Sequence, residues 1–462
     1  LPLLTENIKA LFHARQLGNE DTDSMVGVVV PISYPFPDIG TLLIMLFVPF
    51  AAWFSGSPMA LDEYPKFAVV GFFSFFGNVE IGMPFLLDQL RLPSDMFELY
   101  LMTLVYIGRF ATLVAVTHVA AMTLMTVSAA NGLMRLDMRR FGTYAAGSAG
   151  IVLTALLALT IGLKAIVSDT YEGDQLVTSM QWRGDPLPAA VEREVPDRGL
   201  PRPPEGTSLL DQIRERGMLR VGYINDALPY TFFNRNDELV GFDVEMAGEL
   251  ASDLGVKLEF VPYSRQTLLQ QLEAGHFDIA MGGRDATPTL AAEALLSESY
   301  LDINLGIVVE DFRRKKFDTV EKIRNNPTLR LGVLDNDYLG PHLKQVFPQA
   351  EIVPLVNPPE FFEGGFLQVD GLVISVQAGS AWTLLYPEFT AVAPQPVRGT
   401  IPLAYVIAWH DAELKAYLDS WIDLKKGDGT IDRLYSHWVL GEDAGKGEPR
   451  WSVIRDVLGW ID

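Results

Sequence analysis

The 462-residue chain contains no cysteine and only six histidines. Without cysteine it has no disulfide, thiolate zinc site, iron–sulfur cluster or cysteine nucleophile. The histidines form no HExxH-type pair, so we expect neither a histidine-built metal site nor any cofactor. Basic residues are also scarce, because 36 Lys and Arg face 58 Asp and Glu and give a net charge of −22. A surface this acidic repels phosphate backbones, which excludes nucleic acid as the expected partner.

Apolar residues are abundant, at 49% of the chain against 20% charged residues. Four apolar stretches are long enough to sit in a lipid bilayer, which about 20 helical residues span. They cover residues 25–54, 67–90, 98–127 and 141–167. Four such stretches in succession predict a multi-pass membrane region rather than buried core helices. The lipid bilayer is therefore an expected partner.

Proline and glycine interrupt the first two stretches. Pro31, Pro35 and Pro37 stand in the first, and proline removes a backbone donor and clashes with the preceding helical turn. We therefore expect a discontinuous helix there, although a kinked ordinary helix is the alternative. The second stretch carries Glu80 and Pro84 at its middle, which favours a re-entrant hairpin with a polar tip. These features predict an all-α membrane region with broken helices.

The placement of basic residues predicts the orientation of this region. Arg135, Arg139 and Arg140 lie between the third and fourth stretches, and an excess of Lys and Arg marks the cytoplasmic side. The fourth stretch then exits into the periplasm of a bacterium, with the acidic remainder of the chain. The chain begins with Leu1 and carries no signal-peptide pattern, so we expect it to be a fragment.

The remainder of the chain changes in composition twice. Residues 168–206 are rich in proline and charge, and predict a semi-extended tether. From residue 207 to 443, short apolar runs alternate with amphipathic segments in a βαβα order, which predicts a parallel-type α/β sheet. The order occurs in two blocks, so two lobes with a cleft between them are expected. Residues 444–462 form a C-terminal tail.

Seven blocks of the second half resemble the solute-binding proteins of polar amino-acid uptake systems, known as bacterial extracellular solute-binding protein family 3. The blocks are RGMLRVGY (216–223), ELVGFDVEMA (238–247), LGVKLEFVPY (254–263), LEAGHFDIAMGG (272–283), LRLGVLDND (329–337), VDGLVISVQAGSAW (369–382) and LKKGDGTIDRLYSHW (424–438). The resemblance implies a two-lobed type II periplasmic-binding-protein fold that closes around a small solute. Within the blocks we expect strands at 257–262 and 278–281, and Gly282-Gly283 at a lobe edge where the backbone can approach a ligand. In the GFD segment (241–243), Asp243 is expected to cap the helix that begins there.

The positions that contact ligand in this family differ here. Leu290 stands where the family places an arginine for the ligand α-carboxylate, and Ser375 stands where it places an aspartate for the ammonium. A standard α-amino acid is therefore not expected as ligand. An aromatic pair with carboxylates would suit an organic cation, Arg284 would suit an anion, and a solvated Arg284–Asp285 surface pair is the third interpretation. The candidate cleft residues are Tyr230, Phe232, Gly283, Arg284, Asp285, Asp337, Tyr338 and Ser375.

Residues 1–133 resemble the C-terminal third of the dicarboxylate/amino-acid:cation symporters of the glutamate-transporter type. The stretches VVPISYPFPDIGTLL (29–43), GNVEIGMPFLLDQLRLPSD (77–95) and YIGRFATLVAVTHVA (106–120) carry this resemblance. It implies a homotrimer and places a transport site at the broken helix, the hairpin tip and the last helix. The transport-site candidates are Asp38, Gly40, Thr41, Glu80, Arg109 and Thr117. The sodium-binding residues of the last helix are replaced, which favours a co-transported proton over sodium.

Residues 134–167 are then an additional transmembrane helix that carries the receptor lobe outward. Together these features predict a multi-pass inner-membrane transporter with a tethered periplasmic solute-binding domain. A membrane receptor or sensor built on a degenerate transporter is the alternative. Bilobed folds of this kind also include dehydratases, but no paired acid/base constellation stands out, so we predict that the chain is not an enzyme.

Overall fold

The structure is a computed structural model, and the residues it describes fall into two compact units. The first unit lies before residue 172 and the second follows it. Each unit is considered by itself. The described residues are 2–17, 21–33, 44–55, 59–74, 79–93, 95–134, 137–166, 173–183, 188–202, 204, 206–334, 336–364, 369–396, 400–408 and 411–442.

The first unit is helical. Its helices are α1 (Pro2–Ala14), α2 (Thr22–Ser33), α3 (Phe47–Phe54), α4 (Glu63–Ser74), α5 (Val79–Gln89), α6 (Asp95–Ala130) and α7 (Met138–Ile166). By length and composition, two of the described helices could cross a membrane: Tyr106–Ala130 within α6, at mean hydropathy 1.8, and Met138–Gly162 within α7, at 1.9. No residue in the apolar window of α7 is buried in the structure.

The structure modifies the predicted breaks in this region. Helix α2 continues through Pro31 and ends at Ser33, so the first proline lies inside a helix rather than ending one. Pro35 and Pro37 lie outside the described residues. The predicted second stretch is divided between α4 and α5, which contact each other and are each too short to span a bilayer. A multi-pass membrane region is therefore not shown by these helices.

The second unit contains mixed α and β elements. Its first elements are α8 (Gly173–Thr178), β1 (Ala189–Val191), α9 (Leu209–Arg216), β2 (Met218–Tyr223), β3 (Asp226–Ala227), β4 (Thr231–Phe233), β5 (Leu239–Val240), α10 (Phe242–Leu254), β6 (Lys257–Pro262), α11 (Leu268–Glu273), β7 (Ile279–Ala280), α12 (Pro288–Glu293) and β8 (Leu295–Leu296). The next are β9 (Leu301–Glu310), a 3₁₀ helix (Asp311–Lys316), α13 (Val320–Arg324), β10 (Arg330–Val333), α14 (Asn336–Val346), β11 (Glu351–Pro354), α15 (Pro358–Glu363), β12 (Gly371–Ser375) and α16 (Val376–Leu385). The last are β13 (Phe389–Val392), β14 (Thr400–Leu403), β15 (Val406–Ile407), α17 (Ala412–Gly427) and α18 (Thr430–Trp438).

Two sheets define two lobes, as the alternating pattern predicts. The lobe 1 sheet has the order β1-β6-β2-β7-β15-β8, and its first four strands are parallel. The lobe 2 sheet has the order β11-β10-β12-β9-β13. The chain passes between the lobes along β9 and β14, which pair antiparallel from Leu301↔Leu403 to Asn304↔Thr400. Two adjacent crossing strands form the hinge that a two-lobed binding fold uses to close.

Local sequence explains how the helices of lobe 1 begin and end. Ser208 caps α9 by accepting a hydrogen bond from the Asp211 amide, and Gly217 ends that helix in the left-handed region at φ +67°. Asp411 caps α17 in the same way through the Leu414 amide. These caps satisfy backbone groups that a helix terminus otherwise leaves unpaired.

The segment predicted as a free tether, 168–206, is instead part of the second unit where it is described. Strand β1 adds to the edge of the lobe 1 sheet, with Ala189 opposite Leu258 and Val191 opposite Phe260. The Tyr223 hydroxyl donates to the Glu192 carbonyl at 2.9 Å. Within this segment residues 189–191 are extended, but their backbone pairs with β6 instead of facing solvent.

Candidate binding cleft

The candidate site is the cavity between the two lobes. It measures about 80 Å³ and lies at the carboxyl ends of β2, β7, β10 and β12, the edge where open α/β sheets bind ligands. Lobe 1 and the crossing strands contribute Asp226, Ala227, Leu228, Tyr230, Arg265, Gly282, Gly283, Arg284, Asp285, Ile303, Leu305 and Ile401. Lobe 2 contributes Leu334, Leu339, Pro358, Val373, Ile374, Ser375, Ala378 and Trp382.

Charge in the cleft is confined to lobe 1 among the described lining residues. Asp226 and Arg265 form an ion pair, with 3.3 Å between Oδ1 and Nη1. Arg284 is half-buried, and its Nε is buried without a hydrogen-bond partner within the described part of the chain. A guanidinium carries five donors that match a carboxylate or phosphate. The cleft therefore presents an unsatisfied cationic donor opposite an apolar wall.

The hydroxyl of Tyr230 is a second unsatisfied polar group in the cleft. It is buried and makes no hydrogen bond of normal geometry with any described residue. Burial raises the pKa of Tyr230, with Asp243 and Asp285 adding to the rise and the nearby Ser375 hydroxyl opposing it. The side chain therefore stays a neutral phenol that can donate one hydrogen bond to a ligand. Ser375 already caps α16, because its Oγ accepts from the Ala378 amide at 3.1 Å.

Glycine is required where lobe 1 meets this tyrosine. Gly283 has φ +66°, and a Cβ at this position would lie 2.3 Å from Cδ2 of the Tyr230 ring. A side chain would face both backbone strain and a direct clash, so the backbone can approach the cavity here only without one.

The buried carboxylate of Asp243 accepts hydrogen bonds from both glycine amides of this turn. Oδ2 of Asp243 accepts from the Gly282 amide at 2.8 Å, the Gly283 amide at 2.6 Å and the Tyr300 hydroxyl at 2.8 Å. Burial raises the pKa of Asp243 to about 6, while the Gly283 amide and the Tyr300 hydroxyl oppose the rise. Asp243 does not cap the N-terminus of α10, contrary to our expectation from GFD. The N-cap is Gly241, and no side chain caps this end.

Comparison with known protein families bears directly on this cleft. Residues 219–441 match the family model of bacterial extracellular solute-binding proteins, family 3. The C-terminal half of the chain is a family 3 solute-binding domain. This confirms the resemblance drawn from the seven sequence blocks and the two-lobed α/β fold. The match does not extend to residues 1–167, where the structure shows two apolar helices long enough to span a membrane among its described residues. Of these, Tyr106–Ala130 lies in the predicted symporter region, for which the comparisons give no support.

Relatives of the domain include enzymes. Cyclohexadienyl dehydratase of Pseudomonas aeruginosa is 27% identical over 237 residues, which cover 50% of this chain and 86% of the relative. Membrane-bound lytic murein transglycosylase F of Vibrio cholerae is 33% identical over 207 residues, covering 40% of this chain and 38% of that protein. The chain thus spans well under half of the transglycosylase. These matches overturn the prediction that the chain is not an enzyme, because both relatives bear enzyme names.

Solved structures of similar sequence include an ancestral amino acid-binding protein described as a precursor of cyclohexadienyl dehydratase. It is 30% identical, the match covers 50% of this chain and 100% of that one, and the TM-score is 0.45.

The solute-binding domain brings five of the eight predicted cleft residues to one cavity: Tyr230, Gly283, Arg284, Asp285 and Ser375. The other three lie elsewhere, and their placement as cleft residues is corrected here. Phe232 is 4% exposed and packs edge-on against Trp438, with the ring centroids 5.9 Å apart.

The other two misplaced candidates lie on α14. Asp337 is exposed in the first turn of α14. The Tyr338 ring packs against the His342 ring, with the ring centroids 4.6 Å apart. Neither lines the cavity. Leu290, which replaces the family arginine, is buried in α12.

The predicted transport-site residues are not brought together by the described helices. Asp38, Gly40 and Thr41 lie outside the described residues. Glu80 is exposed in the first turn of α5, and Arg109 and Thr117 are exposed on α6. The Thr117 hydroxyl donates to the Leu113 carbonyl of its own helix at 2.8 Å. Among the described residues, no group of three or more His, Asp or Glu side chains could hold a metal ion.

Sequence reasoning missed most of the other lining residues, among them the charged Asp226 and Arg265 and the aromatic Trp382. A signal for Trp382 was present, since positions 375, 378 and 382 follow the three-to-four spacing of one helical face. The Asp226–Arg265 pair had no such signal, because it joins strand β3 to a turn after β6 that lies 39 residues later in the chain.

Proposed function

We propose that the solute-binding domain captures a small carboxylate with an apolar body in its cleft. The unpartnered Arg284 guanidinium carries this proposal. A buried cationic donor without a partner loses hydration free energy that a ligand carboxylate would restore through charge-assisted hydrogen bonds. The apolar wall of lobe 2 would contact the rest of the solute, and its leucine, valine, isoleucine and tryptophan side chains offer no partner for a second charge.

A standard α-amino acid fits this cleft poorly. Its ammonium would need a carboxylate or several acceptors on the lobe 2 side, where the described lining residues offer one side-chain oxygen, that of Ser375, which already accepts from the Ala378 amide. Its carboxylate would meet Leu290 where the family has arginine, and Leu290 is turned into the protein. Of the ligand classes left open by the sequence, the anion is therefore favoured over the organic cation.

Three ligands with the same phenyl ring and three-carbon chain but different polar end groups can test this proposal on the full-length chain. We expect 3-phenylpropionate to raise the thermal unfolding temperature, and 3-phenylpropanol and 3-phenylpropylamine to leave it unchanged. The reason is that binding to the folded state alone stabilises it, and only the acid can pair with Arg284. A shift by the amine equal to or larger than that by the acid would contradict the proposal.

We also propose that the apolar helices anchor the domain at a bacterial inner membrane, with the domain in the periplasm. Helix α7 supports this, since large apolar side chains such as Ile151 (73% exposed) and Leu157 (62% exposed) face outward. The helix has 29 residues, enough to cross the bilayer's hydrocarbon core. Uptake of the solute through the helical region, with a proton or cation and in a homotrimer, stays a prediction of the symporter resemblance.

Extraction of membranes tests the anchor. After a sodium carbonate wash at about pH 11, we expect the full-length chain to stay in the membrane pellet, as integral proteins do. Its release into the supernatant would show that α7 does not sit in lipid.

Catalysis of a dehydration in the same cleft is the second candidate function. The match to cyclohexadienyl dehydratase, over 86% of that enzyme, favours it. Asp285 and the Asp226–Arg265 pair are the cleft groups that could protonate a leaving hydroxyl. Loss of water from a cyclohexadienyl alcohol creates an aromatic ring, so a rise in ultraviolet absorbance on incubation with the protein would select this candidate. Unchanged absorbance would leave binding as the function.

A further inference from the structure

The chain just before the solute-binding domain is attached to lobe 1 along its length. We call residues 173–183 and 188–193 the strap. The Asn234 side-chain amide donates to the Met180 carbonyl at 3.1 Å, and the Arg183 amide donates to Glu245 Oε1 at 2.9 Å. The indole of Trp182 lies over Gly248 of α10, leaving no room for a Cβ there. Strand β1 then completes the attachment by pairing with β6.

The same strap also contacts lobe 2. Its helix α8 packs against α16, whose residues Ala378 and Trp382 line the cleft together with its N-cap Ser375. Val177 is the buried side chain of α8, at 5% exposure, and belongs to the hydrophobic core that includes residues of both lobes. Its neighbour Leu176 is 36% exposed.

A segment fixed to both lobes restrains their relative motion. In a hinged two-lobed protein, opening the cleft moves lobe 2 away from lobe 1 about the crossing strands. Here that motion must also separate α16 from α8, because the strap is held to lobe 1 by backbone pairing. One direct hydrogen bond between α16 and α18, from Gln377 Nε2 to the Tyr435 hydroxyl at 3.3 Å, would break with it.

We propose that the strap holds lobe 2 against lobe 1 and so sets how readily the cleft opens. Val177 is the buried side chain of the helix that contacts α16, so we expect separation of the two helices to expose apolar surface, which opposes opening by the hydrophobic effect. The strap thus acts on the free protein, without ligand. The inference rests on the two-lobed cleft of the proposed function but not on the chemistry of its ligand, so a wrong ligand class would leave it standing.

Distances between spin labels on the two lobes of the full-length, ligand-free chain can test the strap. The chain has no cysteine, so Ala292→Cys in lobe 1 and Gln345→Cys in lobe 2 give one pair of label sites on exposed positions. We expect one narrow distance distribution in this background. Adding Val177→Asp should shift the distribution to distances several ångströms longer and broaden it, because a buried carboxylate disfavours the α8–α16 contact.

Leu176→Asp is the matched control, since it adds the same charge one residue away on the exposed side of α8. It should leave the distribution unchanged. Val177→Ala is a milder variant that tests the same contact in case Val177→Asp impairs folding, because it only removes two methyl groups. It should shift the distance distribution in the same direction as Val177→Asp, by a smaller amount. Distributions for Val177→Asp and Val177→Ala that match that of Leu176→Asp would overturn the proposal.

Discussion

Replacing Arg284 with alanine is expected to weaken binding of a small carboxylate about 100-fold. A hydrogen-bonded charge pair in a buried site contributes about 2–3 kcal/mol, and each 1.4 kcal/mol is about a factor of ten in the dissociation constant. Isothermal titration calorimetry of the full-length chain with 3-phenylpropionate measures the change. The dissociation constant of Arg284→Lys should lie between those of the wild type and Arg284→Ala, because the lysine ammonium keeps the charge but lacks the planar guanidinium that binds a carboxylate through two hydrogen bonds.

The free protein supplies an independent readout for the same variant. The Arg284 side chain makes no described hydrogen bond or ion pair that would be lost, and its buried Nε has no partner among the described residues. Removing a half-buried cation whose Nε has no partner should therefore leave the unfolding temperature of the ligand-free protein unchanged or raise it. Arg198→Ala, at an exposed position of the segment before α9, is the control for a lost positive charge. If Arg284→Ala bound 3-phenylpropionate with wild-type affinity, Arg284 would not be a binding residue.

Replacing Asp243 with alanine is expected to lower the free energy of unfolding by about 3 kcal/mol at pH 7. The substitution leaves the Gly282 and Gly283 amides and the Tyr300 hydroxyl buried without an acceptor, and each unsatisfied buried group costs about 1–3 kcal/mol. Urea unfolding followed by circular dichroism measures the loss. Asp423→Ala, on the exposed face of α17, should change the value by less than about 0.5 kcal/mol.

The stability contributed by Asp243 should also depend on pH. Its pKa is raised from 3.8 to about 6 on folding, so the folded state holds the proton more tightly than the unfolded state. This contribution is complete below about pH 4 and is lost as the pH rises through about 6. Asp243→Asn does not titrate. Relative to this variant, the wild type should therefore lose about 2 kcal/mol of stability between pH 4 and pH 7. A constant difference across this range would contradict the raised pKa.

The solute-binding fold could be predicted from the sequence because its signals are local. The alternation of short apolar runs with amphipathic segments predicts β6 at 257–262, where the structure has Lys257–Pro262. The strand expected at 278–281 is shorter in the structure, Ile279–Ala280, although the amides of Asp278 and Met281 also donate to carbonyls of β2, those of Arg220 and Gly222. Gly282 and Gly283 were expected at a lobe edge near ligand, and both line the cavity.

Other features depend on partners far away in the sequence. Phe232 looked like a cleft residue beside Tyr230, but Trp438, more than 200 residues later, covers it. The GFD segment suggested a helix cap, whereas Asp243 binds amides 39 and 40 residues away. The proline-rich segment suggested a tether, and no local signal shows that the edge of β6 pairs with it.

The sequence by itself determined that this protein contains a two-lobed α/β solute-binding domain after an apolar helical region. Hydropathy and periodicity act over a few residues, so they can be read along the chain. Only the tertiary structure decided which polar groups of the cleft remain without partners, and that the strap contacts both lobes. Whether a hydrogen-bond donor is satisfied, and whether an apolar side chain is covered, depends on distances between distant segments that folding alone sets.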